Sequence, residues 1–155
     1  MSKIYSSKDI FLEKLKKYCT YQERCQQEVI NKMRELKIDY DWQDEIIVSL
    51  ILEKYIDEER FARAIVRGKF RQNHWGRIKI KNYLFLKGIG NNLIQMSLSE
   101  INEVDYRKQI QILILKKKNE LGNKPNLQNR LVNYLVQKGY ESNLVYEEVN
   151  NEESI

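Results

Sequence analysis

Proline and glycine are scarce: one Pro and six Gly among 155 residues leave little material for long linkers. Cysteine is nearly absent too. The spacing of Cys19 and Cys25 matches neither a CxxC redox pair nor a zinc knuckle, so both read as packed or half-exposed thiols. No run approaches the roughly 18 apolar residues of a membrane span, so no membrane association is expected. The opening MSKIYSSKDIF has neither an apolar core nor a small-residue cleavage site, which removes the secretory reading and makes the cytoplasm the expected location.

The chemistry of a catalytic centre is missing as well. His74 is the only histidine, so any Ser-His-Asp or Cys-His arrangement has a single possible base, lying in a basic stretch without a carboxylate to orient it. It reads as an inter-helix loop residue or a phosphate contact. Gly88-Ile-Gly90 lacks the third glycine and the preceding strand of a dinucleotide fingerprint, and no phosphate loop ending in Gly-Lys-Ser or Gly-Lys-Thr occurs. Asp57, Glu58 and Glu59 are consecutive, and consecutive residues of a helix point apart, so they suit a helix start better than a metal site. The expectation is a non-enzymatic protein with no cofactor and no metal.

What the chain does have is positive charge in one place. Lys and Arg number 27 against 22 Asp and Glu, a formal net charge of +5. Between Arg60 and Ser99 there is no acidic residue, whereas Arg60, Arg63, Arg67, Lys69, Arg71, Arg77, Lys79, Lys81 and Lys87 are all basic. The flanks are mildly acidic, and the end carries Glu147, Glu148, Glu152 and Glu153. A solvated face is the ordinary fate of a charge run. Forty residues without one acid point instead to an anionic partner, and these nine residues are the candidate nucleic-acid or filament contacts.

Apolar spacing is helical almost throughout. Phe11, Leu12, Leu15, Tyr18 and Cys19 mark one helix face. Val29, Ile30, Met33 and Leu36 mark a second, and Ile46, Ile47, Leu50, Ile51 and Tyr55 a third, with Asp41 as its expected N-cap. Asp57 is expected to cap the next helix, where Phe61, Ala62, Ile65, Val66 and Phe70 face one way and Arg60, Arg63, Arg67 and Arg71 the other. Trp75 follows as a packing wedge or a base-stacking residue.

Residues 77–86 alternate with period two and would suit a strand, but an internal repeat decides for helix. A shift of 51 residues superimposes Ile38, Ile89 and Tyr140, then Asp41, Asn92 and Asn143, then Trp42, Leu93 and Leu144. Gly88 and Gly139 coincide just before, where a helix C-terminus needs a residue of positive φ, and Lys37 in the first copy predicts a different or strained turn there. Each Asp or Asn is expected to cap the helix that follows. Pro125 and the spacing of Leu127, Leu131, Leu135 and Val136 make the third copy plainly helical. With a preceding helix in each copy, the expected fold class is all-α, three tandem three-helix repeats in an elongated, crescent-like array, a compact nine-helix globule being the alternative. The expected boundaries are a flexible segment 1–10, repeats 11–55, 56–103 and 104–149, and an acidic tail 150–155.

Tyr55-Ile-Asp-Glu-Glu-Arg-Phe-Ala62, then Trp75-Gly76, Ile80, Leu84 and Lys87-Gly-Ile89, resemble the RecX family of recombination regulators, and Tyr21-Gln-Glu-Arg24 through Met33 and Leu36 is similar to that family's first repeat. The resemblance runs from about residue 18 to 145. Cys25 stands where the family commonly has Ser, and Lys54 and Lys37 where it has Gly. The resemblance implies a protein that binds the RecA recombinase filament on single-stranded DNA, lodges in its groove and restrains filament growth and RecA's recombinase, ATPase and coprotease activities. Weak direct DNA binding and a monomeric state belong to the same expectation. Two other readings stay open: a sequence-specific DNA regulator with residues 77–87 in the major groove, and a helical adaptor that binds only proteins.

Overall fold

The computed structural model describes residues 7–153, and among these the chain is helices and short turns. In order they are α1 (Ser7–Tyr21), α2 (Gln26–Glu35), α3 (Tyr40–Leu52), α4 (Glu58–Arg71), α5 (Arg77–Leu86), α6 (Asn91–Leu98), α7 (Glu103–Leu121), α8 (Leu127–Gln137) and α9 (Ser142–Glu153). Residues 77–86 are helix α5, as the repeat required. Helix α1 begins at Ser7, which corrects the expectation of a flexible segment 1–10 over residues 7–10; residues 1–6 lie outside the described ones. The acidic tail likewise starts as helix, since α9 runs to Glu153. None of these helices is long and apolar enough to cross a membrane.

Extended helix–helix packing joins α1 with α2 and α3, α4 with α5 and α6, and α7 with α8 and α9. Each trio closes over its own core. Leu15, Val29, Met33, Ile46 and Leu50 fill the first. Phe61, Ala62, Ile80, Leu84 and Ile94 fill the second, and Tyr106, Ile110, Ile114, Leu135 and Tyr140 the third. Three small cores in series have only their seams in common. Cys25, the residue before α2, is buried in the second core, and Phe70 and Ile101 pack against both the second and the third. Both cysteines are buried free thiols, and burial raises Cys19 to about 11, so it is a packing group rather than a nucleophile.

The repeat is a repeat of turns. The N–H of Ile38 donates to the Met33 carbonyl, that of Ile89 to Leu84 and that of Tyr140 to Leu135, the same bond in each unit. The residue before each takes positive φ: Lys37 at 55°, Gly88 at 79°, Gly139 at 99°. The first-copy turn is therefore the same turn as the others, carried by a lysine in a glycine conformation. Lys54 also has positive φ, 62°, so helix α3 ends at Leu52 and the expected third-helix face stops short of Tyr55.

The expected caps need shifting by two residues. Asp39, Gly90 and Glu141 precede α3, α6 and α9, and Asp39 accepts the Asp41 N–H through its side chain. Asp41, Asn92 and Asn143 lie inside the first turns. A polar residue in the first turn and one at the cap are alike in sequence; the bond goes to whichever side chain sits outside the helix. Asp57 does cap α4, accepting the Arg60 N–H at 2.9 Å.

Lys37→Gly removes the strain of a side chain at positive φ and should stabilise the protein by up to about 1 kcal/mol in urea unfolding. Gly139→Ala should cost about 3 kcal/mol or more, because its Cβ would collide with the Lys79 backbone while φ stays positive.

Candidate nucleic-acid interface

The nine basic residues separate into two populations once acids from elsewhere in the chain are in place. The acid-free stretch is acid-free only along the sequence. Arg60 bonds Glu23 through Nε at 2.6 Å and the Lys54 carbonyl through Nη2 at 2.9 Å, tying α4 to the first unit. Lys87 reaches Glu28 at 3.4 Å, and Glu28 also accepts the Cys25 N–H at the start of α2, so one carboxylate caps a helix and holds a seam. Arg63 lies between Glu59 and Glu100, with Arg67 3.8 Å from Glu100. These contacts compensate three members of the α4 arginine stripe and leave Arg71 without a carboxylate partner among the described residues.

Arg77 is the most heavily committed. Its guanidinium pairs with Glu103 and with Glu141, at 2.8 Å for the latter, and lies 3.8 Å from the centre of the Tyr106 ring. Tyr106 donates its hydroxyl hydrogen to Glu141 and accepts the Arg77 N–H at 3.0 Å. Burial holds the Tyr106 phenol far above its ordinary value, with Glu141 acting in the same direction, so it stays a donor. Arg77 resists the cost of its own burial because Glu103 and Glu141 keep it charged, and Arg77 in turn lowers Glu103.

Around Arg77 the second and third units meet through backbone. Gly76 caps α5 without a side chain. The Gly76 N–H donates to the Lys138 carbonyl at 2.8 Å and the Ile78 N–H to the Gly139 carbonyl at 2.9 Å. A Cβ at Gly76 would overlap the Gly139 carbonyl group. The loop before α5 is pinned from the same side, with Tyr140 donating to the His74 carbonyl at 2.7 Å and Lys138 to the Asn73 carbonyl at 3.2 Å. His74 is the exposed loop residue it was expected to be, at φ 58°, with Nδ1 3.5 Å from Gln109.

The remaining candidates, Lys69, Arg71, Lys79 and Lys81, have no carboxylate within ion-pair distance among the described residues. Lys69 and Lys79 place their ammonium groups 4.7 and 4.5 Å from the Trp75 ring centre, and Trp75 packs edge-on against Tyr83. The tryptophan is thus the wedge of the two readings, and it positions two cations. The third unit adds Lys138 and Lys116, which the charge run did not reveal. Burial pushes the Lys138 ammonium below the ordinary lysine value, and Lys79 and Lys116 push the same way. The Lys116-Lys117-Lys118 run was a visible signal for one of them; nothing local distinguished Lys138. Cations from α5, α7 and the end of α8 thus come close enough to act on one another, an arrangement that no single segment contains.

Comparison with known proteins gives a consistent neighbourhood. Residues 57–98 match the family model described as RecX, second three-helix domain. The chain is 28% identical over 131 residues to the regulatory protein RecX of Oceanobacillus iheyensis, covering 83% of this chain and 48% of that protein. It is 25% identical over 128 residues to that of Streptococcus uberis, covering 83% and 50%. It therefore spans about half the length of the curated relatives it matches. The crystal structure of RecX from Lactobacillus salivarius superimposes with a TM-score of 0.84 at 26% identity, covering 96% of this chain and 97% of that one.

Arg77→Ala should cost about 2 kcal/mol in urea unfolding, because it removes the ion pairs to Glu103 and Glu141 and the cation over the Tyr106 ring. Lys79→Ala and Lys81→Ala should stay within about 0.5 kcal/mol. Since Arg77 lowers Glu103, the stability this pair supplies is present above the ordinary carboxylate pKa and is lost as pH falls through the lowered Glu103 value; Arg77→Ala should flatten that acid limb.

Proposed function

Because this chain belongs to the RecX family, we propose that it binds the RecA–DNA nucleoprotein filament and restrains RecA's recombinase, ATPase and coprotease activities, with no catalysis of its own. The observation that carries the reading is the cluster of Lys79, Lys116 and Lys138, three like charges drawn together across a seam. Such an arrangement destabilises the free protein slightly and is relieved when phosphates occupy it. A nucleoprotein filament presents phosphates beside protein side chains, which suits a surface of free cations flanked by the exposed apolar Phe85 and Leu86 of α5. Lys69, Arg71, Lys79 and Lys81 are the DNA contacts in this proposal. Arg60, Arg63, Arg67, Arg77 and Lys87 serve the protein's own seams and helix faces through the acids they already hold.

A major-groove reader is disfavoured by the same geometry. The start of α5 is covered by the third unit, and half of its exposed side chains, Ile78, Phe85 and Leu86, are apolar, which leaves only Lys79, Lys81 and Asn82 able to hydrogen-bond to base edges.

RecA ATP hydrolysis on single-stranded DNA, measured while the protein is titrated in, tests the proposal. Suppression at substoichiometric protein, absent with Arg71→Glu, Lys79→Glu, Lys81→Glu, is the expected outcome; unchanged hydrolysis at saturating protein would sink it. Direct binding to a single strand through about five phosphate contacts should weaken roughly a hundredfold between about 50 and 200 mM salt.

A further inference from the structure

A groove runs between the end of α4 and the middle of α7, at the seam of the second and third units, and the contacts described so far leave it unused. Phe70, Ile112 and Leu113 form its floor, and Arg71, Lys108 and Lys116 its rim. Ile112 is 62% exposed although it sits in the centre of a 19-residue helix beside a buried neighbour, Leu113. None of the three rim cations has an ion-pair partner among the described residues. Asp105 also lines the groove, with Gln109 and His74 as further polar groups.

We propose that this groove receives an unstacked base of a single-stranded nucleic acid, whose flanking phosphates lie on Arg71, Lys108 and Lys116. The inference rests on the nucleic-acid part of the function proposed above and names the form of DNA recognised. Continuity argues for it: Lys116 lines the groove and also acts electrostatically on Lys138 of the cation cluster, so a strand crossing the cluster passes close to the groove. Chemistry argues for it too. A base has two apolar faces and a polar edge, which fits an aromatic and aliphatic floor with an amide and an imidazole beside it. Trp75 is unsuited to the task, since Lys69 and Lys79 already lie over its ring. A duplex keeps its bases stacked and can use the cations only, so the groove makes the surface prefer single strands. An acidic peptide with an apolar anchor is the competing occupant.

The test compares fluorescein-labelled oligo(dT) with a duplex of equal length on the full chain at one salt concentration, in wild type, in Ile112→Gln and in Lys79→Glu. Ile112→Gln replaces an exposed side chain without changing charge, and circular dichroism checks that it folds. The expected result is a single-strand preference on the order of tenfold in wild type that shrinks to near unity in Ile112→Gln, with duplex affinity unchanged. Lys79→Glu should weaken both ligands together. Equal wild-type affinity for both ligands, or a preference that survives Ile112→Gln, would overturn the groove proposal while leaving the cation cluster standing. If neither ligand binds, the nucleic-acid reading itself fails. Displacement of a partner protein by Ile112→Gln with the DNA preference untouched would assign the groove to a peptide.

Discussion

Helix α5 begins without a side-chain cap, and its first N–H groups are satisfied by the neighbouring unit: the Gly76 N–H by the Lys138 carbonyl, the Arg77 N–H by the Tyr106 hydroxyl, the Ile78 N–H by the Gly139 carbonyl. A helix start must place its orphan donors somewhere, and burying them unpaired would cost more than most single contacts return. This helix and the third unit therefore depend on each other's position. The close backbone approach explains Gly76, and the positive φ of Gly139 presents its carbonyl to α5. Arg77, drawn into the same seam, is held charged by two carboxylates and a ring. From this joint follows the placement of Lys79 near Lys138, and of His74 in the 72–75 loop beside Gln109 in the first half of α7.

The seam between the first and second units is built differently. It relies on ion pairs, Arg60 with Glu23 and Lys87 with Glu28, and on Cys25 inserted into the second core. Both seams draw their cations from the basic middle segment. The positive charge there divides three ways: Arg60, Arg77 and Lys87 hold the repeats in register, Arg63 and Arg67 pair within the second unit, and the other four have no carboxylate partner among the described residues. Ion pairs at partly exposed seams contribute modest energy each, but they specify which surfaces meet.

Much of the architecture was readable in advance because it is written in local terms. The 51-residue repeat of turns, the helical spacing of apolar residues and the Asp57 cap depend on neighbours within a few positions, and each is where it was expected. The caps of α3, α6 and α9 were misplaced by two residues, since the rule for a polar residue near a helix start does not say on which side of the start it falls. Tyr55 was assigned to α3 because its spacing fits, but Lys54 at positive φ ends the helix first.

The candidate interface was legible in outline only. The sequence alone determined the helical repeat and the positive sign of the middle segment, because composition, period and local hydrogen bonding are properties of short stretches. Which cations are free was decided by the tertiary structure. An ion pair joins residues such as Arg60 and Glu23, or Arg77 and Glu141, whose separation in sequence carries no pattern, and a like-charge cluster such as Lys79, Lys116 and Lys138 exists only after three helices from two units have been brought together. Electrostatic energy falls with distance in space, and distance in space is what folding sets.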